Sequence, residues 1–156
     1  HSEIYKAKED VNSIAHAHPM YGKTFSTLGK MLDPISQDSC AFYERTAIFA
    51  DYDGVANGPD EGINIAKALG DKEFCILQNH GILTTGSMVD TAVWYFLNME
   101  DACKSQLLAE AVGKPKVIPH DTACATRDYV ANDLSAFVSF QPTVDVLWEE
   151  EPDLLD

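Results

Sequence analysis

Basic residues are scarce in this chain: 11 Lys and Arg stand against 25 Asp and Glu, a formal net charge of −14 over 156 residues. With no cluster of cations to neutralise a phosphate backbone, the composition argues against nucleic acid as a partner. Long apolar runs are missing as well. No stretch reaches the about 18 residues that a membrane-spanning helix requires and no signal peptide is visible, so the expectations are no membrane partner and a cytoplasmic setting. Cysteine is sparse: Cys40, Cys75, Cys103 and Cys124 lie 35, 28 and 21 residues apart. Those spacings exclude the short pairs of a thiolate zinc knuckle or a redox dithiol and leave buried free thiols as the reading. No internal repeat occurs, nor any low-complexity linker apart from Gly113-Lys114-Pro115.

What is present suits one domain, or one incomplete domain. Hydrophobic residues make up 46% and charged residues 23%, a balance that packs a core rather than staying disordered. Acidity gathers at the end, where Asp145, Glu149, Glu150, Glu151, Asp153 and Asp156 fall within the last dozen residues and read as a solvated tail. The chain opens on His1-Ser2-Glu3-Ile4-Tyr5-Lys6-Ala7 without an initiator Met. Ile4, Ala7 and Val11 form a helical stripe from the outset, and the expectation is a domain cut from a larger unit.

The pattern then alternates between strand and helix. Ser13 to His18 has the brevity and apolar content of an interior strand, and Pro19 suits the opening of a helix through Leu28 that Gly29 ends. Leu32 to Asp38 reads as a turn region leading to Cys40-Ala41-Phe42-Tyr43. Ala47 to Ala50 forms a short strand, and Gly54 to Asp60 a loop. Glu61 to Leu69 carries a helical stripe, started by Pro59 or Asp60 and stopped at Gly70. Phe74 to Gln78 is a core strand with Asn79-His80-Gly81 at its end, and Ile82 to Thr85 continues extended. The longest periodic segment, Met88 to Ala111, predicts one long helix, with Glu100 on its polar surface. A further helix is expected over Thr122 to Leu134, then irregular chain from Val138 to Leu147 around Pro142, with Trp148 as a late apolar anchor.

Histidine carries the chemistry. His16-Ala17-His18 places two imidazoles at i and i+2, on one face of a strand, and His80 follows His18 by 62 residues at the end of the core strand. Three imidazoles are a known zinc ligand set that leaves a coordination position open for chemistry. A structural or hydrogen-bonded role for these histidines is the alternative on the residues alone. Gly81 permits a close backbone approach or a sharp turn beside His80. Gln78 and Asn79 either orient the imidazole or support the strand end, and support is the favoured reading.

The run Asp10-Val11-Asn12-Ser13-Ile14-Ala15-His16-Ala17-His18-Pro19-Met20-Tyr21 is followed by Ala68-Leu69-Gly70, then by Leu77-Gln78-Asn79-His80-Gly81-Ile82-Leu83-Thr84-Thr85-Gly86, and then by the long helix through Ala92 and Glu100. In order and spacing it resembles the class II aldolase/adducin family. Pro34 to Tyr43 resembles especially the fungal, adducin-like branch. The resemblance implies a three-layer α/β/α fold around a largely antiparallel sheet, N-terminally incomplete here. Residues 1–112 would be its metal-binding portion. Residues 113–156 would be a C-terminal extension, packed on the same domain or on a neighbouring subunit and ending in the acidic tail. It further implies a homo-oligomer, with a tetramer favoured, and sites between subunits. His16, His18 and His80 would hold zinc or another divalent ion such as Mn, Fe or Co.

By that resemblance the activity is a divalent-metal-dependent, aldolase-like lyase. It would act on a small hydroxy-carbonyl substrate through a metal-stabilised enediolate. The family's proton-transfer carboxylate and its phosphate-binding loops fall before His1, so a missing N-terminal segment, on the same chain or as a separate one, would supply them. A tyrosine that the family's aldolases use falls near Gln37 or Asp38, which makes Asp38 and the nearby Tyr43 the candidate catalytic residues. Turn capping by Asp38 and packing by Tyr43 are the structural alternatives. Two other functions stand beside the lyase: a noncatalytic, adducin-like oligomerisation module, and a purely structural metal site. Adducins have lost the metal histidines, and this chain retains all three.

Overall fold

The computed structural model describes residues 1–51 and 59–155. The loop expected over Gly54 to Asp60 lies largely outside the described residues, as does Asp156 of the acidic tail. Four strands form one mixed sheet: β1 (Ser13–Ala17), β2 (Thr46–Phe49), β3 (Phe74–Leu77) and β4 (Gly81–Gly86), in the order β1-β4-β3-β2. β4 pairs antiparallel with both β1 and β3, and β2 joins β3 in parallel. The helices are α1 (Ser2–Ala7), α2 (Met20–Ser26), α3 (Pro59–Leu69), α4 (Val89–Val112), α5 (His120–Val130) and α6 (Asp133–Glu150), with short 3-10 helices at Asp38–Phe42 and Pro152–Leu155.

Alternation along the strands divides the core in two. Phe74, Ile76 and Ile82 face a cluster with Phe25 of α2 and Tyr95, Met99, Ala102 and Cys103 of α4. Cys75, Leu77 and Leu83 face the other way, onto Ile4 of α1 and Leu69 of α3. Residues two apart on a strand share a face, so a single continuous apolar run serves both layers. The sheet therefore has helices on both faces, as an α/β layered fold requires. Cys40, Cys75 and Cys103 are buried free thiols, whereas Cys124 is half-buried. Burial pushes the Cys75 and Cys103 thiols up to about 12, where they stay protonated at neutral pH.

Two expectations for the C-terminal third are corrected. The helix anticipated over Thr122 to Leu134 is two helices that meet at Ala131-Asn132, where Asn132 caps α6 by accepting a hydrogen bond from Ser135 N (2.9 Å). Pro142, expected to break the chain, sits inside α6. Proline removes one backbone donor, and the flanking turns, capped at Asn132 and packed on α4 through buried Ala136, carry the helix past it. Trp148, expected as a late apolar anchor, is 47% exposed. Among the described residues, no helix is long and apolar enough to cross a membrane.

Glu100 also departs from expectation. It does not decorate the surface of α4: its carboxylate accepts hydrogen bonds from Tyr21 N (2.9 Å) and Gly22 N (2.5 Å), the free donors at the start of α2. A helix only seven residues long depends on such a cap, and the favourable meeting of a carboxylate with a helix N-terminus adds to it. Gly22 fits because any side chain there would press on Ile82, with a Cβ at 3.0 Å from that residue's side chain. We predict that Glu100→Ala lowers unfolding stability by about 1–3 kcal/mol, the cost of stranding partly buried donors, with Glu100→Gln losing less. Urea unfolding checks this, and equal stability of Glu100→Ala and wild type would remove the capping role.

Candidate metal centre

The three histidines of the sequence pattern converge. His16 lies within β1, His18 one residue beyond its end, and His80 in the three-residue connection between β3 and β4. Their rings pack edge to face, with centroid separations of 5.2 Å for His16–His18, 5.1 Å for His16–His80 and 4.5 Å for His18–His80. One nitrogen from each ring falls within 4.8 Å of the other two, a spacing that one ion can bridge.

Local backbone chemistry explains the convergence. Leu77 pairs with Gly81 and closes a tight hairpin over Gln78, Asn79 and His80. Asn79 takes the left-handed conformation (φ 57°) that such a loop needs and that asparagine tolerates well. His80 N donates to Leu77 O (3.0 Å), completing the turn. The favoured reading of Gln78 and Asn79 as structural support agrees with this. Gly81 then meets the end of β1: a Cβ on it would stand 2.5 Å from the Ala17 carbonyl oxygen and 3.2 Å from His18 Cδ2. Only glycine lets the two histidine-bearing segments touch.

The electrostatics suit a cation ligand set. His16 Nδ1 lies 2.9 Å from Ile82 O and donates to it, which fixes the tautomer and leaves Nε2 with its lone pair free. Burial lowers the His16 pKa, and the neighbouring His80 and His18 rings lower it further, against the raising effect of the Ile82 bond. Burial likewise lowers His80, helped by His18 and opposed by the Glu61 carboxylate. Both rings therefore favour the neutral form that binds metal. Three imidazoles with one tautomer already set fit a borderline divalent ion such as zinc.

A cleft of about 290 Å³ adjoins the trio, lined by His16, His80, Glu3, Glu61, Ile65 and Leu83 among others. Glu61, on the first turn of α3, lines this cleft, whereas the sequence offers it only as the first residue of a helical stripe. Glu3 shares the cleft and is paired with Lys6 at 2.6 Å.

Asp38 and Tyr43 lie elsewhere. β2 runs parallel to β3, so the chain just before Thr46 sits at the opposite end of the sheet from His80, separated by the four paired residues, roughly 13 Å of strand. Asp38 lines a separate cavity with Trp94, Tyr95 and Asn98. The Tyr43 hydroxyl is 3.2 Å from His120 Nδ1. Neither residue is brought to the trio within one chain.

Residues 1–107 match the family model described as the Class II Aldolase and Adducin N-terminal domain. The decarboxylase NovR of Streptomyces niveus is 38% identical over 154 residues, covering 99% of this chain and 57% of that protein. The 4-hydroxy-3-prenylphenylpyruvate oxygenase/4-hydroxy-3-prenylbenzoate synthase of Streptomyces roseochromogenus subsp. oscitans is 37% identical, with 99% and 56% covered. Among solved structures, the L-fuculose 1-phosphate aldolase from Glaciozyma antarctica PI12 superposes with a TM-score of 0.87 at 38% identity, covering 97% of this chain and 57% of that one. The chain thus spans little more than half the length of these relatives.

Gly81→Ala is expected to drive β4 away from Ala17 and His18. It should weaken divalent-metal binding at least tenfold and cost about 1–3 kcal/mol of stability, read by zinc titration and denaturant unfolding. Unchanged zinc affinity in this variant would contradict the close-approach account.

Proposed function

This chain belongs to the class II aldolase and adducin family, and on that premise we propose that it forms the metal-binding part of a divalent-metal-dependent lyase acting on a small hydroxy-carbonyl compound. The observation that carries the reading is the convergence of His16, His18 and His80 beside an acid-lined cleft. A divalent ion held there supplies Lewis acidity to a carbonyl oxygen, the chemistry that carbon–carbon cleavage next to a carbonyl demands. Aldol cleavage and decarboxylation both leave an electron pair on such a carbon, so an aldolase and a decarboxylase among the similar proteins are compatible with one site.

The chain's own residues supply binding and proton transfer. His16 is held in one tautomer by Ile82, and the cleft between α1 and α3 opens beside the trio, where a small substrate would sit. Of the two carboxylates lining it, Glu3 is engaged with Lys6, which leaves Glu61 as the group proposed to move a proton. A carboxylate from sequence preceding His1, as the family resemblance implies, is the competing source. Asp38 and Tyr43 enter the proposal only as groups offered to the trio of a neighbouring copy in a homotetramer. Zinc as the ion, a boundary near residue 112 and a cytoplasmic setting complete it. Free buried thiols support the setting, and a three-imidazole set with room for a further ligand supports zinc.

Retention of all three histidines favours the lyase over a noncatalytic adducin-like module. In the full-length gene product, His80→Ala is expected to lose both bound metal and cleavage of small hydroxy-aldehydes and hydroxy-ketones. Glu61→Gln should keep the metal and lose about 100-fold or more in kcat. Metal retained in wild type with no cleavage of any such compound would instead establish a structural ion, and full activity in Glu61→Gln would move the proton-transfer role to another carboxylate.

A further inference from the structure

Glu44, His120 and Cys124 form a second cluster of ligand atoms, at the end of the sheet opposite the trio, with all three atoms within 4.8 Å of one another. The separations are 3.7 Å for Cys124 Sγ to Glu44 Oε2, 3.8 Å for His120 Nδ1 to Glu44 Oε1, and 3.8–3.9 Å from Cys124 Sγ to the two His120 nitrogens. A tetrahedral ion with a zinc–sulfur distance of about 2.3 Å and zinc–nitrogen and zinc–oxygen distances of about 2.0–2.1 Å places its ligand atoms about 3.3–3.6 Å apart. These separations, which involve both Glu44 oxygens, exceed that range by only a few tenths of an ångström. We propose that Glu44, His120 and Cys124 bind a second divalent transition-metal ion, independent of the histidine trio.

The donor set selects the class of ion. One thiolate, one imidazole and one carboxylate suit zinc or cobalt and disfavour magnesium and calcium, which require oxygen ligands. Charge balances as well. Glu44 and the Cys124 thiolate contribute two negative charges, which neutralise a dication.

Arg127 Nη1 lies 3.3 Å from Glu44 Oε2. It also donates to Tyr43 O (3.4 Å), and its Nε donates to Asp128 Oδ1 (2.8 Å). Glu44 Oε2, which faces Cys124, also carries this Arg127 contact, whereas Oε1 faces His120; the guanidinium orients the carboxylate through one oxygen and leaves the other to the ion. The Tyr43 hydroxyl lies 3.2 Å from the same His120 Nδ1, so an ion that takes this nitrogen displaces that contact.

His120 and Cys124 are spaced i and i+4 on α5, one helical turn apart on one face. Glu44 comes from the turn between the 3-10 helix and β2, at φ 60°. An ion there ties the C-terminal helices to the sheet.

The probe is Co²⁺ added to the reduced, metal-free chain, because a cobalt–thiolate bond produces a charge-transfer absorption that an all-imidazole site lacks. Wild type should bind two equivalents, one of them with the thiolate absorption. Cys124→Ser and His120→Ala should each lose that absorption and one equivalent, with unchanged far-ultraviolet circular dichroism. The His16→Ala/His80→Ala double variant should lose the other equivalent and keep the absorption. Absence of the thiolate absorption in wild type, or its persistence in either Cys124→Ser or His120→Ala, overturns the second site. Neither result bears on the trio, whose loss is read in the double variant.

Discussion

The approach of Gly81 to the carbonyl of Ala17 is the contact on which the candidate centre depends. β4 pairs with β1 on one side and β3 on the other, and its first residue is the only one that can bring the hairpin carrying His80 against the segment carrying His18. Replace that hydrogen atom by a methyl group and the oxygen at 2.5 Å must move. The sheet register would then change where the three rings meet. Binding geometry is therefore set by backbone packing before any side chain is considered.

A second layer of control comes from α4. Its Glu100 holds the first turn of α2, and α2 begins two residues after His18. The longest helix of the domain thus limits how far one ligand can swing. The Ile82 carbonyl does the same for another by accepting the hydrogen bond that His16 Nδ1 donates. These restraints come from parts of the chain far apart in sequence, and each uses an ordinary need of the backbone, a free helix donor or a strand carbonyl, to position a functional ring.

Much of this was legible from residue order. Alternation and apolar content identified β1, β3, β4 and α4, and the HxH spacing together with His80 identified the trio. The ends of α2 and α3 followed from Pro19 and from Gly29 and Gly70, both of which take positive φ. What escaped reading was what depends on distant partners. Glu100 looks like any surface acid of an amphipathic helix until α2 is placed beside it. Glu61 looks like a favourable first-turn residue until the cleft exists. Pro142 argued locally for a break, and the packing of α6 on α4 overrode it. Cys124 gave no sign of company, because Glu44 lies 80 residues away. Asp38 and Tyr43 were drawn toward the trio by family pattern, and the parallel pairing of β2 with β3 puts them at the other end of the sheet.

The interval between His18 and His80 has a consequence of its own. Any ion shared by these two residues closes a covalent loop of about 62 residues in the unfolded chain as well as in the folded one, wherever it stays bound. By the chain-entropy relation used for cross-links, a closure of that length removes about 4 kcal/mol of conformational freedom from the unfolded ensemble. In a protein with no disulfide among its four free thiols, a coordinated ion would be a reversible tether that can be released by a chelator without a change in redox state.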